Sequence, residues 1–455
     1  MNETIFRKYD IRGLADTDLT DEVVELIGRA YAEVLGAGKN VVVGYDARES
    51  SERLFNALTG GLRRGGVSVI KLGMVPTPLV YFANFTDDNA HGAIQITGSH
   101  NPAEYNGFKM MMGKETLHGD GIQALLNIIK KNAFIDHAPD ATTMVERTDL
   151  KDSYLAWMME NVQRDGRKLK VVLDSGNGVA GVIAPRVINE VFGGEVIELF
   201  SEPDAAFPNH HPDPTVEKNL QHLIAAVKEH GADLGVAYDG DGDRIGVVDE
   251  RGDVIWGDKL MILLSREVLK EHPGATIIGE VKCSQSLFDD VKAHGGEPIM
   301  SAVGHSLIKA KIKETGAKLA GEMSGHIFFN DRYFGFDDAI YATCRVMEIL
   351  ASTSEETKLS QLLSDVPETF ATPELRVDCE EDVKFELPGK VAEHFATKGL
   401  EVNTIDGARV HFAQGWGLVR ASNTQPVLVM RVEAATEELK EDYLQQLKDA
   451  LEASA

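Results

Sequence analysis

The most chemically specific segment of the sequence is Asp239-Gly240-Asp241-Gly242-Asp243-Arg244. Its three carboxylates alternate with glycines that let the backbone curl, so the carboxylates can converge on one hard cation. Mg²⁺ prefers oxygen ligands in a small octahedral shell. Asp239, Asp241 and Asp243 are therefore predicted to bind Mg²⁺. The alternative, a solvated acidic turn, would hold three like charges together without a counter-ion.

A calcium-binding EF-hand loop is a second interpretation of the same segment. Asp239, Asp241, Asp243 and Glu250 match positions 1, 3, 5 and 12 of that loop. Position 6, where the EF-hand turn needs glycine, is Arg244, and the flanking segments LGVAY and IGVVD predict strands where helices are required. The sequence therefore favours a magnesium loop between two strands.

A second polar segment, TGSHNP, places Ser99 between the apolar stretch GAIQI and Pro102. The proline blocks simple continuation of regular structure, so we expect Ser99 at a strand end, presented rather than buried. On its own the segment is better explained as a capped turn. Beside a metal loop it fits a phosphoryl acceptor, because the charge on a migrating phosphoryl group must be neutralised.

Cationic side chains occur in segments next to predicted strands throughout the chain. They are Arg12, Lys109, Arg244, Lys282, His305, His326 and Arg420. Each alone would be a solvated surface charge. We expect them in loops, because loops at strand ends supply the ligands of a multidomain cleft.

Two further segments could bind a phosphorylated sugar. In RASNTQP, Arg420 is followed by Ser422, Asn423 and Thr424, a mixture suited to a phosphate dianion. In GEMSGH, Glu322 and Ser324 offer acceptors and a donor for vicinal hydroxyls, although a plain polar turn explains that segment equally well on its own.

The glycine-rich turn from Gly176 to Gly181 suggests a different class of enzyme. It fits the G-x-G-x-x-G pattern after a strand, with Glu198 at the distance expected for a ribose contact, as in NAD-dependent oxidoreductases. The motif is weak by itself and leaves the Asp239 loop unexplained. We therefore favour phosphoryl transfer over hydride transfer.

Composition limits the remaining classes of function. The chain has 455 residues and a net charge of −26, which repels nucleic acids and anionic membrane surfaces. No segment has a signal-like core or the run of about 18 apolar residues that a bilayer span needs. Cys283, Cys344 and Cys379 are widely separated and lack CxxC spacing. We expect a cytoplasmic protein that binds neither nucleic acid nor membrane.

The elements that position these residues form a repeat. Strand, helix, Gly-Gly and strand recur over 40–72, 170–200 and 276–302, which predicts three related α/β units with parallel strands. After a Pro-marked hinge the chain predicts a smaller α+β unit, with a helix near 383–398 and a final amphipathic helix. We expect domains at 1–150, 151–253, 254–367 and 368–455.

The segments TGSHNP, DGDGDR, GEMSGH and RASNTQP, in this order and at these separations, resemble the motifs of the α-D-phosphohexomutases. The resemblance extends from KYDIRG to the final helix. It implies four domains around a central cleft, the first three sharing a repeated mixed or parallel α/β core and the last a smaller α+β domain.

The same resemblance implies the roles of individual residues. Ser99 would be the phosphoserine and, with Asp239, Asp241 and Asp243, would hold Mg²⁺. Glu322 and Ser324 would bind sugar hydroxyls. The substrate phosphate would be held by Arg420, Ser422, Asn423 and Thr424, and the cleft would be lined by Arg12, Lys109, Arg244, Lys282, His305 and His326.

The implied reaction is reversible phosphoryl transfer between O1 and O6 of mannose and glucose phosphates through a hexose 1,6-bisphosphate. A site that reads the equatorial O3 and O4 would accept both C2 epimers. The general base is left open between His326 and Lys109: a histidine side chain, with an unperturbed pKa of ~6.5, is available at neutral pH, whereas a lysine, at ~10.4, would need a lowered pKa or would act as an electrostatic partner. We expect a monomer. An alternative function is a catalytically silent sugar-phosphate sensor on the same fold. Ser99 and the three aspartates argue against it, because a binding protein would need neither.

Overall fold

A computed structural model describes residues 1–138, 141–380, 383–423 and 426–454. Its first unit is built on a seven-stranded mixed sheet of strand order β1-β5-β4-β2-β3-β7, with β6 paired to β5. Thr20 caps α1 by accepting the backbone N–H of Val23, and Gly36 follows its last residue, as the sequence predicted. The elements of this unit are β1 (Ile11–Leu14), α1 (Asp21–Leu35), β2 (Asn40–Tyr45), α2 (Ser51–Arg64), β3 (Ser68–Met74), α3 (Thr77–Thr86), β4 (Gly92–Ile96), β5 (Tyr105–Met112), β6 (Glu115–Thr116), α4 (Asp120–Lys131) and β7 (Met144–Glu146).

The second and third units repeat the central part of the first. Their sheets have the orders β12-β11-β10-β8-β9 and β14-β13-β15-β16. The second contains α5 (Leu150–Asn161), β8 (Lys170–Asp174), α6 (Ala184–Phe192), β9 (Glu195–Leu199), α7 (Gln221–His230), β10 (Leu234–Tyr238), β11 (Ile245–Asp249) and β12 (Val254–Ile255). The third contains α8 (Gly257–Glu271), β13 (Thr276–Glu280), α9 (Gln285–Ala293), β14 (Glu297–Ser301), α10 (His305–Thr315), β15 (Leu319–Gly321), β16 (Ile327–Phe329) and α11 (Ala339–Ala351).

The repeat is longer than the sequence indicated. The predicted parallel pairs β2/β3, β8/β9 and β13/β14 are confirmed. In each unit a further helix leads to a third parallel strand, which then turns back through a polar loop into an antiparallel strand. These three loops, 97–104, 239–244 and 322–326, occupy equivalent positions in the three sheets. They contain the TGSHNP and DGDGDR segments and all of GEMSGH except Gly321, which ends β15.

The last unit is α+β, as predicted, with a six-stranded antiparallel sheet. It contains β17 (Phe370–Ala371), β18 (Leu375–Asp378), α12 (Leu387–Thr397), β19 (Val402–Asn403), β20 (Ala408–Phe412), β21 (Gly415–Ala421), β22 (Val427–Ala434) and α13 (Glu437–Ser454). The helix expected from Val383 begins four residues later. Pro388 lies in its first turn, the one place where a helix tolerates a residue without an N–H.

The largest hydrophobic cluster joins the first three units, whereas the fourth unit has a core of its own and shares only a small cluster with the third, in which Val281 packs with Trp416 and Leu418. One continuous cluster contains Leu79, Leu173 and Leu260, from the first, second and third units. The last unit packs α12 and α13 on its own sheet, around Phe395 and Leu447. A change in the orientation of the last unit would therefore disturb much less apolar packing than a movement among the first three. Within the described ranges, no helix is long and apolar enough to cross a membrane.

Candidate active site

Ser99 lies just after β4 and is only 2% exposed, so the prediction of a presented serine was wrong. The cause is the Asp239 loop of the second unit, which covers it. Ser99 Oγ donates a hydrogen bond to Asp239 Oδ2 at 2.9 Å and lies 3.1 Å from His100 Nδ1. Its backbone has φ of 50°, a left-handed conformation that costs a non-glycine residue about 1 kcal/mol or more. The serine is thus held in a strained, enclosed position against a carboxylate.

The three aspartates lie in the tight connection between β10 and β11. All three are fully buried, and one oxygen of each lies within 4.8 Å of the others. Asp239 Oδ1 accepts the backbone N–H groups of Gly242, Asp243 and Arg244 at 3.0 to 3.2 Å, which closes the loop. Strands flank the loop on both sides, so the EF-hand alternative is excluded.

The first unit supplies a cation, Lys109, and a hydroxyl, Thr77, to the aspartate loop. Lys109 Nζ donates to Asp241 Oδ2 at 2.7 Å and also to Asp243, and Thr77 Oγ1 donates to Asp241. Burial would lower the pKa of Lys109, but Asp241 and Asp243 outweigh it and the net shift is upward. Burial raises the pKa of Asp239, and its two neighbouring carboxylates act in the same direction. For Asp241, burial is outweighed by Lys109 and the pKa is lowered.

The aspartate loop fits a hard divalent cation. Asp241 Oδ1 and Asp243 Oδ1 are buried and have no hydrogen-bond partner among the described residues. A buried carboxylate oxygen without a partner is costly, and a cation would satisfy both. Three converging carboxylates match the oxygen preference of Mg²⁺.

The GEMSGH loop joins the second and third units. Ile245 N donates to Gly325 O at 3.0 Å, and Arg244 and His326 form an antiparallel bridge across the units. Gly325 has φ of +90°, and a Cβ on it would lie 2.3 Å from Ile245 O. Only glycine therefore allows this approach. The loop is thereby fixed to the first residues of β11.

Glu322, the acceptor expected in that loop, is 3% exposed. Its Oε1 accepts Gly304 N at 2.7 Å, while Oε2 lies 3.5 Å from Ser324 Oγ. Ser324 is half-buried. One carboxylate oxygen is thus fixed by the backbone, and the other faces the serine hydroxyl.

The RASNTQP segment begins inside a strand. Arg420 lies in β21, is 5% exposed, and donates from Nε to Asp406 Oδ2 at 3.1 Å. Asn423 Nδ2 donates to Tyr9 Oη at 2.6 Å, which ties the last unit to the first. Ser422 is buried. Thr424 lies outside the described residues.

The remaining cations come from several elements, and the expectation that all lie in loops was wrong. Arg12 and Lys109 lie in β1 and β5, as Arg420 lies in β21, and all three are buried. Arg12 donates to Gly98 O and to Asn101 Oδ1 at 3.1 and 3.2 Å. The others follow strands or begin helices, namely Arg244, Lys282, His305 and His326.

Two of these cations make contacts that fix their orientation. Lys282 Nζ donates to Glu374 Oε2 at 3.2 Å and thereby lowers the pKa of Glu374 to about 2. Arg244 Nε donates to His326 Nε2 at 2.9 Å, so this ring nitrogen presents its lone pair. The opposite nitrogen of His326 lies 3.0 Å from Asp337 Oδ2.

Sequence reasoning missed Tyr9 and Asp337. Asp337 is fully buried and pairs with Lys309 Nζ at 2.9 Å. Burial would raise its pKa, but Lys309 outweighs burial and the pKa is lowered. Tyr9 lies in the KYDIRG segment, from which only Arg12 was predicted as a site residue. Neither residue belongs to a pattern of like residues, so only contacts distant along the chain reveal them.

The glycine-rich turn at 176–181 supports the aspartate loop. Val179 N donates to Gly240 O at 3.1 Å, inside that loop. The turn leads into a short 3₁₀ helix at Val179–Val182, whereas a dinucleotide site needs an α-helix that opens at the motif. Glu198 is exposed on β9. The fold gives the motif a structural role that does not need a dinucleotide.

Comparisons with known proteins match the chain over nearly its whole length. The phosphoglucomutase/phosphomannomutase models match as alpha/beta/alpha domain I over 3–136, domain II over 152–252, domain III over 256–370 and the C-terminal domain over 374–450.

Named relatives agree with these matches. The phosphomannomutase/phosphoglucomutase of Pseudomonas syringae pv. tomato is 47% identical over 437 residues, 96% of this chain and 92% of that protein. The phosphoglucomutase of Neisseria meningitidis serogroup A is 44% identical over 458 residues, 99% and 97% of the two chains. A crystal structure of a phosphoglucomutase/phosphomannomutase family protein from Burkholderia thailandensis has a TM-score of 0.92 and 42% identity, covering 100% and 98%.

The fold consists of three repeated α/β units and a smaller α+β unit, and its serine loop lies against an aspartate loop. This combination defines the class of the phosphohexose mutases. The chain belongs to the phosphoglucomutase/phosphomannomutase family. The fold and family predicted from the four motifs are thereby confirmed.

Proposed function

We propose that the enzyme moves a phosphoryl group reversibly between O1 and O6 of mannose and glucose phosphates, through phosphorylated Ser99 and a hexose 1,6-bisphosphate. One observation carries the proposal. Ser99 and Asp239 are 140 residues apart in the chain, yet Ser99 Oγ lies 2.9 Å from Asp239 Oδ2 in a buried site. A plain structural serine would not need an enclosed place beside three aspartates.

The metal ligands in this proposal are Asp239, Asp241, Asp243 and the phosphate on Ser99. The two buried carboxylate oxygens without hydrogen-bond partners support Mg²⁺ at this place. When bound, Mg²⁺ supplies positive charge that offsets the charge on the transferring group. Lys109 and Arg244 add fixed cations to the same loop, because both lie within ion-pair distance of its aspartates.

The substrate lies between the third and fourth units. Arg420, Ser422, Asn423 and Thr424 hold the phosphate that is not reacting, and Lys282 adds positive charge to the cleft. Burial lowers the pKa of His305 well below its ordinary value, so His305 contributes a neutral ring. Glu322 and Ser324 bind O3 and O4, which are equatorial in both glucose and mannose. Nothing in this set distinguishes C2, so both epimers are substrates.

His326 takes the proton from the attacking sugar hydroxyl after the substrate displaces Arg244 from its Nε2, the nitrogen that accepts Arg244 Nε in this structure. The same nitrogen lies 3.9 Å from Glu322 Oε2, beside the proposed sugar contact. Lys109, the alternative base, is held between two aspartates of the metal loop and acts as an electrostatic partner. Arg12 anchors the serine loop through Gly98 O.

The bisphosphate turns within the cleft, so that its second phosphate faces Ser99 and the serine is rephosphorylated. Water must be excluded during this turn, or the intermediate is lost. The last unit has a core of its own and shares only a small apolar cluster with the third unit, which supports movement of the last unit as the means of opening and closing. We further propose domain limits at 1–150, 151–253, 254–367 and 368–455, and a monomeric cytoplasmic enzyme without nucleic-acid partners.

A coupled assay tests this function with mannose 1-phosphate, glucose 1-phosphate and glucosamine 1-phosphate in parallel, with Mg²⁺ and a hexose 1,6-bisphosphate activator. We expect turnover of the first two sugars. Ser99→Ala should lower kcat at least about a thousandfold while sugar-phosphate binding persists. Ser153→Ala, on α5 outside the four loops, is the control and should match the wild type. Near-normal turnover by Ser99→Ala would exclude the phosphoserine role.

A further inference from the structure

A buried arginine, Arg48, binds the backbone of the loop that carries Ser99. Arg48 lies between β2 and α2, and its side chain is 1% exposed. Its Nη2 donates to the carbonyl oxygens of Ser99 and Asn101 at 2.9 and 2.6 Å. Its Nη1 donates to those of Pro102 and Tyr105 at 2.5 and 2.8 Å. One guanidinium thus fixes four carbonyls within seven residues of chain.

Asp46 fixes the first half of the same loop. Its Oδ2 accepts Thr97 Oγ1 at 2.8 Å and Gly98 N at 3.1 Å, on the N-terminal side of Ser99. The same oxygen accepts Arg48 Nε at 3.1 Å. Both groups are buried, so water does not compete for these bonds. The pair forms one scaffold that spans the loop on both sides of the serine.

The contact leaves no room for a side chain at position 98. A Cβ on Gly98 would lie 2.3 Å from both Cζ and Nε of Arg48. The guanidinium therefore lies directly against the α-carbon that precedes Ser99. Any larger residue must displace either Arg48 or the serine loop.

We propose that Arg48 is a positioning residue for the phosphoryl transfer, with Asp46 as its anchor. This inference rests on the proposed function of Ser99. Ser99 has a left-handed backbone that it would not adopt by preference. The hydrogen bonds of Arg48 reach backbone oxygens of the loop and leave the Ser99 hydroxyl free for Asp239. Arg48 therefore acts by holding the direction of that hydroxyl toward the metal loop.

Arg48→Lys tests this role, because lysine keeps the charge but cannot reach four carbonyls from one nitrogen. We expect kcat to fall about 100-fold, since displacement of a reacting group by about 1 Å costs that much. KM should stay within threefold, because Arg48 touches none of the proposed substrate ligands. Arg53→Lys is the matched control. Arg53, in the neighbouring helix α2, donates to the carbonyls of Leu19 and Ala15 and pairs with Asp21, and it should keep wild-type kcat.

A second variant separates positioning from general loss of stability. Gly98→Ala should lower kcat at least tenfold in the wild-type background, with KM unchanged, because its methyl group displaces Arg48. In the Arg48→Lys background, Gly98→Ala should lower kcat by less than threefold, because the flexible lysine side chain moves away from the added methyl group. If Arg48→Lys does not fold, Gly98→Ala alone decides, and a wild-type kcat in it would overturn the proposal.

The outcomes distinguish this inference from the function on which it rests. An inactive wild type, or an active Ser99→Ala, would remove the proposed function. With wild type active and Ser99→Ala inactive, a kcat for Arg48→Lys within threefold of the control would overturn the positioning role alone. Equal fold losses for Gly98→Ala in both backgrounds would also overturn it, because independent structural damage multiplies without coupling.

Discussion

Gly325→Ala tests whether the sugar loop depends on its contact with the second unit. The added Cβ would lie 2.3 Å from Ile245 O, and the backbone at this position has φ of +90°. The left-handed backbone costs an alanine about 1 to 2 kcal/mol. Forcing two backbones apart adds about 1 to 3 kcal/mol. We therefore expect a loss of about 2 to 5 kcal/mol in unfolding free energy.

Gly316→Ala is the matched control in the same unit. Gly316 follows α10 with φ of +70°, but no atom lies within 4 Å of the added Cβ. It should lose only the backbone strain, about 1 to 2 kcal/mol, and keep full activity. Gly325→Ala should lose kcat/KM by about tenfold or more, because the loop of Glu322 moves away from the metal loop.

Urea unfolding midpoints and mutase kinetics of both variants measure these differences. The contact between Gly325 and Ile245 holds the sugar loop in place. Its loss should therefore lower both the free energy of unfolding and the turnover. If Gly325→Ala matched Gly316→Ala in midpoint and in kcat/KM, the reasoning about the joined loops would be refuted.

Two further predictions concern charge. Burial raises the pKa of Asp338 to about 6, against the hydrogen bonds from the hydroxyls of Tyr154 and Tyr333. Asp338 in the folded state therefore keeps its proton to higher pH than it does in the unfolded chain. Its contribution to the free energy of unfolding is fully present below about pH 4 and is lost as the pH rises to about 6. The loss amounts to about 3 kcal/mol. Asp338→Asn should remove that dependence from urea midpoints measured between pH 4 and 7, and a constant difference from wild type over this range would contradict the assignment. Arg420→Ala should raise KM for glucose 1-phosphate about 10- to 100-fold, as expected for a charge-assisted phosphate contact, whereas Arg376→Ala, with a side chain 59% exposed, should leave KM within twofold. An unchanged KM in Arg420→Ala would count against the phosphate role.

Much of the fold could be predicted because it repeats. Strand, helix, Gly-Gly and strand were readable three times, since each copy has a short apolar strand and a glycine stop. The second half of each unit was not recognised as part of the repeat. Its strands β4, β10 and β15 carry similar apolar residues, but the loops that follow them differ completely in sequence. Because the loops differ in sequence, the common fold of the three units could not be recognised from this part of the chain.

The candidate site was predictable only where chemistry is local. The Asp239 loop places its three carboxylates within five residues, and the flanking strands suffice to aim them together. The burial of Ser99 could not be foreseen, because the group that covers it is Asp239, 140 residues away. Arg48 was missed for the same reason. Its neighbours in sequence look like an ordinary helix start, and its purpose appears only when residues 99–105 fold over it.

The central claim is that the phosphate on Ser99 and the three aspartates share one divalent ion. Loading the phosphorylated enzyme with Mn²⁺ and recording the ³¹P electron–nuclear double resonance spectrum tests it most directly. We predict a ³¹P coupling to the manganese that disappears in Ser99→Ala. Mn²⁺ bound to an enzyme whose Ser99 is phosphorylated by mass spectrometry, but without any ³¹P coupling, would contradict the claim.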